Sequence, residues 1–130
     1  MSGKRALAAV ALVVVAVTLF VVGRSMAAEP LRLTTTGTRY AVTVLIEDPA
    51  PGRVTAEVEV TSGDADTVTL SAVMADMGHS TPEVTARERE PGRFLAEGEL
   101  FAMSGVWELS IRLDGPAGEE QLAVKALIPA

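Results

Sequence analysis

Apolar side chains recur at every second position along most of this chain, and that period constrains the fold more than any other feature. Tyr40, Val42, Val44 and Ile46 alternate with Ala41, Thr43 and Leu45; Val54, Ala56, Val58 and Val60 alternate with Thr55, Glu57, Glu59 and Thr61. Successive side chains of an extended strand point to opposite faces, so each run buries one face and wets the other. Val68, Leu70, Ala72 and Met74 continue the pattern, as do Phe94, Ala96 and Leu100, then Trp107, Leu109, Ile111 and Leu113, and a closing strand from Gln121 to Ile128. Glu83 to Glu90 is the weakest of the predicted strands. Glu47–Gly52, Ser62–Asp64, Pro91–Gly92 and Asp114–Gly118 supply turn residues between the runs. Short strands punctuated about every ten residues, with no amphipathic helix between them, predict an all-β, immunoglobulin-like antiparallel β-sandwich. The strands on either side of Ala102–Gly105 are expected to form a hairpin.

One N-terminal hydrophobic helix is expected ahead of the sandwich. Ala6 to Val22 runs without a charge, after Lys4 and Arg5. Those seventeen residues lie near the lower limit for crossing a bilayer and exceed the usual signal-peptide core. Ser25-Met26-Ala27 offers a cleavage site, and Gly23-Arg24 equally suits the end of a retained anchor. Either way the excess of positive charge before the run directs the remainder out of the cytoplasm. The expected location is the extracytoplasmic face of the cell membrane, periplasmic or extracellular, with a cytoplasmic N-terminus if the helix is retained. The chain then divides into a membrane anchor or signal segment over 1–28, a linker over 29–37 and a β-sandwich domain over 38–130.

Composition narrows the function. Lys4, Arg5 and Arg24 are the charged residues of the first 28, which leaves 8 basic against 17 acidic side chains, a net charge of −9. Nucleic acid is therefore not an expected partner, because phosphate binding draws on clustered Lys and Arg. The chain has no cysteine, which excludes disulfides, thiolate zinc sites and cysteine nucleophiles. It has a single histidine and no Gly-rich phosphate loop, so no catalytic constellation is visible and the chain does not read as an enzyme.

Against this background Met74-Ala75-Asp76-Met77-Gly78-His79 stands out, with two thioethers and the one imidazole within six residues. Met103 is the candidate third sulfur. The other two of the five methionines are Met1 and Met26, so every methionine of the folded part lies in or near this group. Thioether sulfur favours Cu(I) and imidazole suits copper, whereas calcium and magnesium require oxygen. Thioethers also bind without losing a proton and form no disulfides, which suits an oxidising compartment. Gly78 lets the backbone take a positive φ, so that Met77 and His79 can face one point. Counting strand reversals from Met74 puts residues 75–82 and 102–105 at the same end of the sandwich. Met103 shares the parity of Trp107 and Leu109 and leans toward the core side, as Met74 does.

Each of these residues also has a plainer reading. Met74 sits at a core position where methionine is an ordinary gap-filler, and a lone His79 suits a surface. Asp76 is either a carboxylate ligand or a turn former, and Trp107 either lies over a bound cation or is the core tryptophan. Arg87-Glu88-Arg89-Glu90 alternates in sign like a solvated strand edge.

Met74-x-x-Met77-Gly78-His79, then Pro91-Gly92-Arg93-Phe94, then Met103-Ser104-Gly105-Val106-Trp107-Glu108-Leu109, in this order and spacing, resembles the YtkA-like domain family. Similarity to FixH-like proteins is fainter. The resemblance spans roughly residues 38–113. It implies a small extracytoplasmic domain, often membrane-tethered, that takes part in copper handling or in the assembly of haem-copper oxidases. Carried over residue by residue, it implies copper at Met74, Met77, His79 and Met103, and a copper-accepting membrane protein such as a haem-copper oxidase subunit as partner. Family members often carry proline or glycine between the two methionines, where this chain has Ala75-Asp76. The alternative from another class is a metal-free immunoglobulin-like interaction module of a membrane complex, with the methionines as an apolar contact patch.

Overall fold

The structure, a computed structural model, describes residues 29–130. The hydrophobic helix expected within residues 1–28 lies outside the described residues. Among the described residues no helix is long and apolar enough to cross a membrane.

Ten strands follow in order: β1 Leu31–Thr36, β2 Ala41–Ile46, β3 Gly52–Ser62, β4 Thr67–Met74, β5 His79–Ser80, β6 Val84–Thr85, β7 Arg87–Glu90, β8 Arg93–Phe101, β9 Gly105–Asp114 and β10 Glu120–Ile128. They form two antiparallel sheets, sandwich-like. One runs β1-β2-β3-β8-β7; the other runs β10-β9-β4-β5, with β6 also paired to β4. The alternation seen in the sequence is the alternation of burial. Val42, Val44, Ile46, Ala56 and Val58 of the first sheet meet Val68, Leu70, Ala72, Leu109, Ile111 and Leu113 of the second, all without solvent exposure. Burying a branched apolar side chain of this size is worth about 1.5–3 kcal/mol, so these facing rows hold the layers together. No polar side chain is buried among the described residues.

Three expectations need correction. Residues 31–36, expected within a linker over 29–37, form edge strand β1 on β2. Leu31 and Leu33 pack partly buried against the core, and β-branched threonines favour the extended backbone. The strands flanking Ala102–Ser104 are not a hairpin, since β8 pairs with β3 and β7 whereas β9 pairs with β4 and β10. Leu100 and Phe101 are both buried, and that break in alternation marks the chain leaving one sheet for the other. The strand expected over 83–90 likewise splits at buried Ala86. Val84 lies on β4, and β7 moves to the edge of the first sheet, where all four of its charged side chains are exposed. Such a row of charges blocks pairing with another strand.

The two ends of the sandwich differ. At one, Glu120 closes the fold. Its carboxylate accepts hydrogen bonds from the backbone N–H groups of Thr38, Arg39 and Tyr40, each at 3.0 Å, and from the Thr38 hydroxyl at 2.6 Å. Tyr40, itself buried, donates its hydroxyl to the Gly118 carbonyl at 2.7 Å, and Arg39 Nε donates to the Ala117 carbonyl at 2.9 Å. The β1–β2 turn of one sheet is thereby fastened to the β9–β10 loop of the other. At the opposite end, Gly52 pairs with Phe101, Ile128 with Gly105, and Met74 with His79. The candidate metal residues belong to this second end.

Candidate metal centre

Met74 ends β4 and His79 begins β5, and the two are register partners across a tight reversal. Directly opposed residues of an antiparallel pair place their side chains on the same face of the sheet, with Cα atoms about 4.5–5.5 Å apart. Met74 is buried, 5% exposed, so His79 is aimed toward the core side while lying at the open rim, exposed to solvent. Between them Ala75–Met77 makes one 3-10 turn. Gly78 closes it in the left-handed conformation, φ 66° and ψ 17°, with its N–H donating to the Ala75 carbonyl at 3.2 Å. That conformation strains a residue bearing a Cβ, which is why glycine stands between Met77 and His79. Met77 is left 60% exposed at the crest of the turn. Asp76 is exposed on the same turn.

Thr81 staples the loop to both sheets. Its N–H donates to the Ala72 carbonyl at 3.0 Å, and its hydroxyl accepts from the Ala72 N–H at 3.3 Å and donates to the Leu100 carbonyl of β8 at 3.1 Å. A hydroxyl at this position thus ties the second sheet to the first beside the site.

The Ala102–Ser104 connection reaches the same place from the other sheet. Trp107 is fully buried, with its ring edge-on to Phe101 at a centroid distance of 5.9 Å, and its indole N–H donates to the Met103 carbonyl at 2.9 Å. Trp107 is therefore the core tryptophan, and it fixes the backbone from which the partly buried Met103 projects. Gly105 packs against Met74: a Cβ there would lie 2.7 Å from the Met74 methyl and 3.9 Å from its sulfur. Gly105 also has a φ of +134°, so neither its backbone nor its surroundings suit a side chain.

The structure thus brings Met74 and His79 together as register partners and sets Gly105, two residues after Met103, against the Met74 side chain. Met77 stands on the adjoining turn and faces solvent. Among the described residues, no three His, Cys, Asp or Glu side chains are grouped to hold a metal ion. Three thioethers and one imidazole are donors of the kind that suits Cu(I) and not a hard cation. The Thr81 staple, the indole contact to Met103 and the Gly105 contact were not evident from the sequence. The nearest signal for the last was glycine two residues after Met103, at a position where the next strand starts. No protein-family model matches the chain, and no curated protein or solved structure matches it either.

Proposed function

We propose that the chain is an exported, membrane-tethered domain of immunoglobulin-like kind that carries Cu(I) as cargo on Met74, Met77, His79 and Met103, in keeping with its resemblance to YtkA-like domains. The observation that carries this reading is the register pairing of Met74 with His79, at the end of the sandwich where Gly105, two residues after Met103, packs on the Met74 side chain. Uncharged thioethers hold Cu(I) without the strong charge attraction of a thiolate, so an acceptor with better donors takes the ion from them. Exposed Met77 is the donor that such an acceptor reaches first. Copper transfer, copper-site assembly in a haem-copper oxidase and copper tolerance all fit a carrier of this chemistry, and none of the three requires the chain to be an enzyme.

Anaerobic titration with Cu(I) against a chromophoric chelator tests the proposal. One equivalent should be withheld from the chelator by the native chain, and the Met77→Ala/His79→Ala variant should lose it with its fold unchanged by circular dichroism. Equal competition by native and variant chains would remove the assignment. The exposure of Met77 also favours the metal-free interaction module. In that case Met77→Ala should weaken capture of a membrane partner in metal-free buffer, where a carrier would be indifferent.

A further inference from the structure

The three methionines among the described residues differ in what an oxidant in solution can reach. Met74 is 5% exposed, with Gly105 against its methyl group. Met103 is partly buried against the core. Met77 is 60% exposed, on a single 3-10 turn that buries none of its three residues. Sequence and fold leave few other targets, because the chain has no cysteine and its one tryptophan and one tyrosine, Trp107 and Tyr40, are both buried. Among the described residues the Met77 thioether is thus the sulfur most open to hydrogen peroxide.

The chemistry of that encounter is simple. A lone pair of the Met77 sulfur attacks one peroxide oxygen, the O–O bond breaks and an S–O bond forms. Sulfur gives up two electrons, and the second oxygen leaves as water with both protons. At Met74 the added oxygen would put a polar group into an apolar core. At Met77 it meets water, and the turn keeps its bond from the Gly78 N–H to the Ala75 carbonyl. What changes is the donor, since a thioether is a soft ligand and the oxygen of a sulfoxide is a hard one that does not suit Cu(I).

We propose that Met77 is an oxidation site through which peroxide loosens the hold of the chain on Cu(I). Conversion of its thioether to the sulfoxide removes one of three soft donors and leaves Met74, Met103 and His79 in place. The inference rests on the copper reading given above and adds a regulation to it. Methionine sulfoxide is open to enzymatic reduction and the core is untouched, so the change is reversible. Oxidising surroundings then favour release to an acceptor, and reduction restores the carrier.

The full chain, with a chelator present to exclude metal, would be treated with limiting hydrogen peroxide and cleaved both after arginine and before aspartate. Asp76 separates Met74 from Met77, and Arg87 and Arg93 separate Met77 from Met103, so each methionine falls on its own peptide. Mass spectrometry should find Met77 gaining oxygen severalfold faster than either of the others. With peroxide and chelator removed, anaerobic titration against the chromophoric chelator should show that the oxidised chain holds Cu(I) severalfold more weakly than the untreated chain. Met77→Leu should start near that weaker affinity and not move with peroxide. Oxidation of Met74 or Met103 as fast as Met77, equal retention of Cu(I) before and after Met77 is converted, or a matching loss in treated Met77→Leu overturns the inference and leaves the carrier reading standing. An untreated chain that withholds no Cu(I) overturns the carrier reading, and this regulation falls with it.

Discussion

At the scale of single residues, the clearest interaction in the molecule lies far from the candidate metal residues. The Thr38 hydroxyl, and then the N–H groups of Arg39, Tyr40 and Thr38, hold the Glu120 carboxyl down at about 2, against the opposing effect of burial. A carboxylate with a depressed folded-state value stabilises the fold fully above its unfolded value, near 4.5, and that contribution fades as pH falls toward 2. Native chain and Glu120→Gln should therefore differ in urea midpoint at pH 7, with the native chain more stable, and the gap should close between about pH 4.5 and 2. A gap independent of pH would show that the charge of Glu120 is not what matters. Nothing in the alternation of the sequence marked Glu120, because its backbone partners lie 80 to 82 positions away, and only the folded register brings them together.

Among the elements, the hairpin of β4 and β5 and the crossing from β8 to β9 do most to shape the site. Thr81 joins them through the Leu100 carbonyl. Replacing it by valine keeps the shape, removes the hydroxyl and leaves that carbonyl without this partner, which should cost about 1–2 kcal/mol. The Thr81 amide, bonded to Ala72, should exchange with solvent faster in Thr81→Val, while amides at the Glu120 end keep their rates. Unchanged exchange at Thr81 would mean that the β4–β5 pairing alone holds the loop. Strand positions were legible because the period of two survives in every long strand. The β8–β9 connection misled for a physical reason: a tight turn between two alternating runs looks the same whether the chain folds back on its own sheet or crosses to the other. Buried Leu100 and Phe101 in succession were the mark of crossing. Polar β1 was passed over because its face is only half buried, with two leucines among threonines.

For the whole molecule, topology assigns the two ends different tasks. The Glu120 end fastens sheet to sheet, and the opposite end gathers the Met74–His79 pair and the Met103 turn. Counting strand reversals from the sequence placed the 75–82 and 102–105 segments at one end, and that count held although Glu83–Glu90 divides between the sheets, since β6 and β7 run in the same direction. The candidate metal residues were legible as residue types; their support by Thr81, Trp107 and Gly105 was not, because those contacts depend on packing between sheets. X-ray absorption at the copper edge, on the chain loaded anaerobically with Cu(I), tests the central claim most directly. The proposed ligands predict a first shell dominated by sulfur with one imidazole nitrogen, the nitrogen disappearing in His79→Ala while sulfur remains. A shell of nitrogen and oxygen alone would contradict the assignment of Met74, Met77 and Met103.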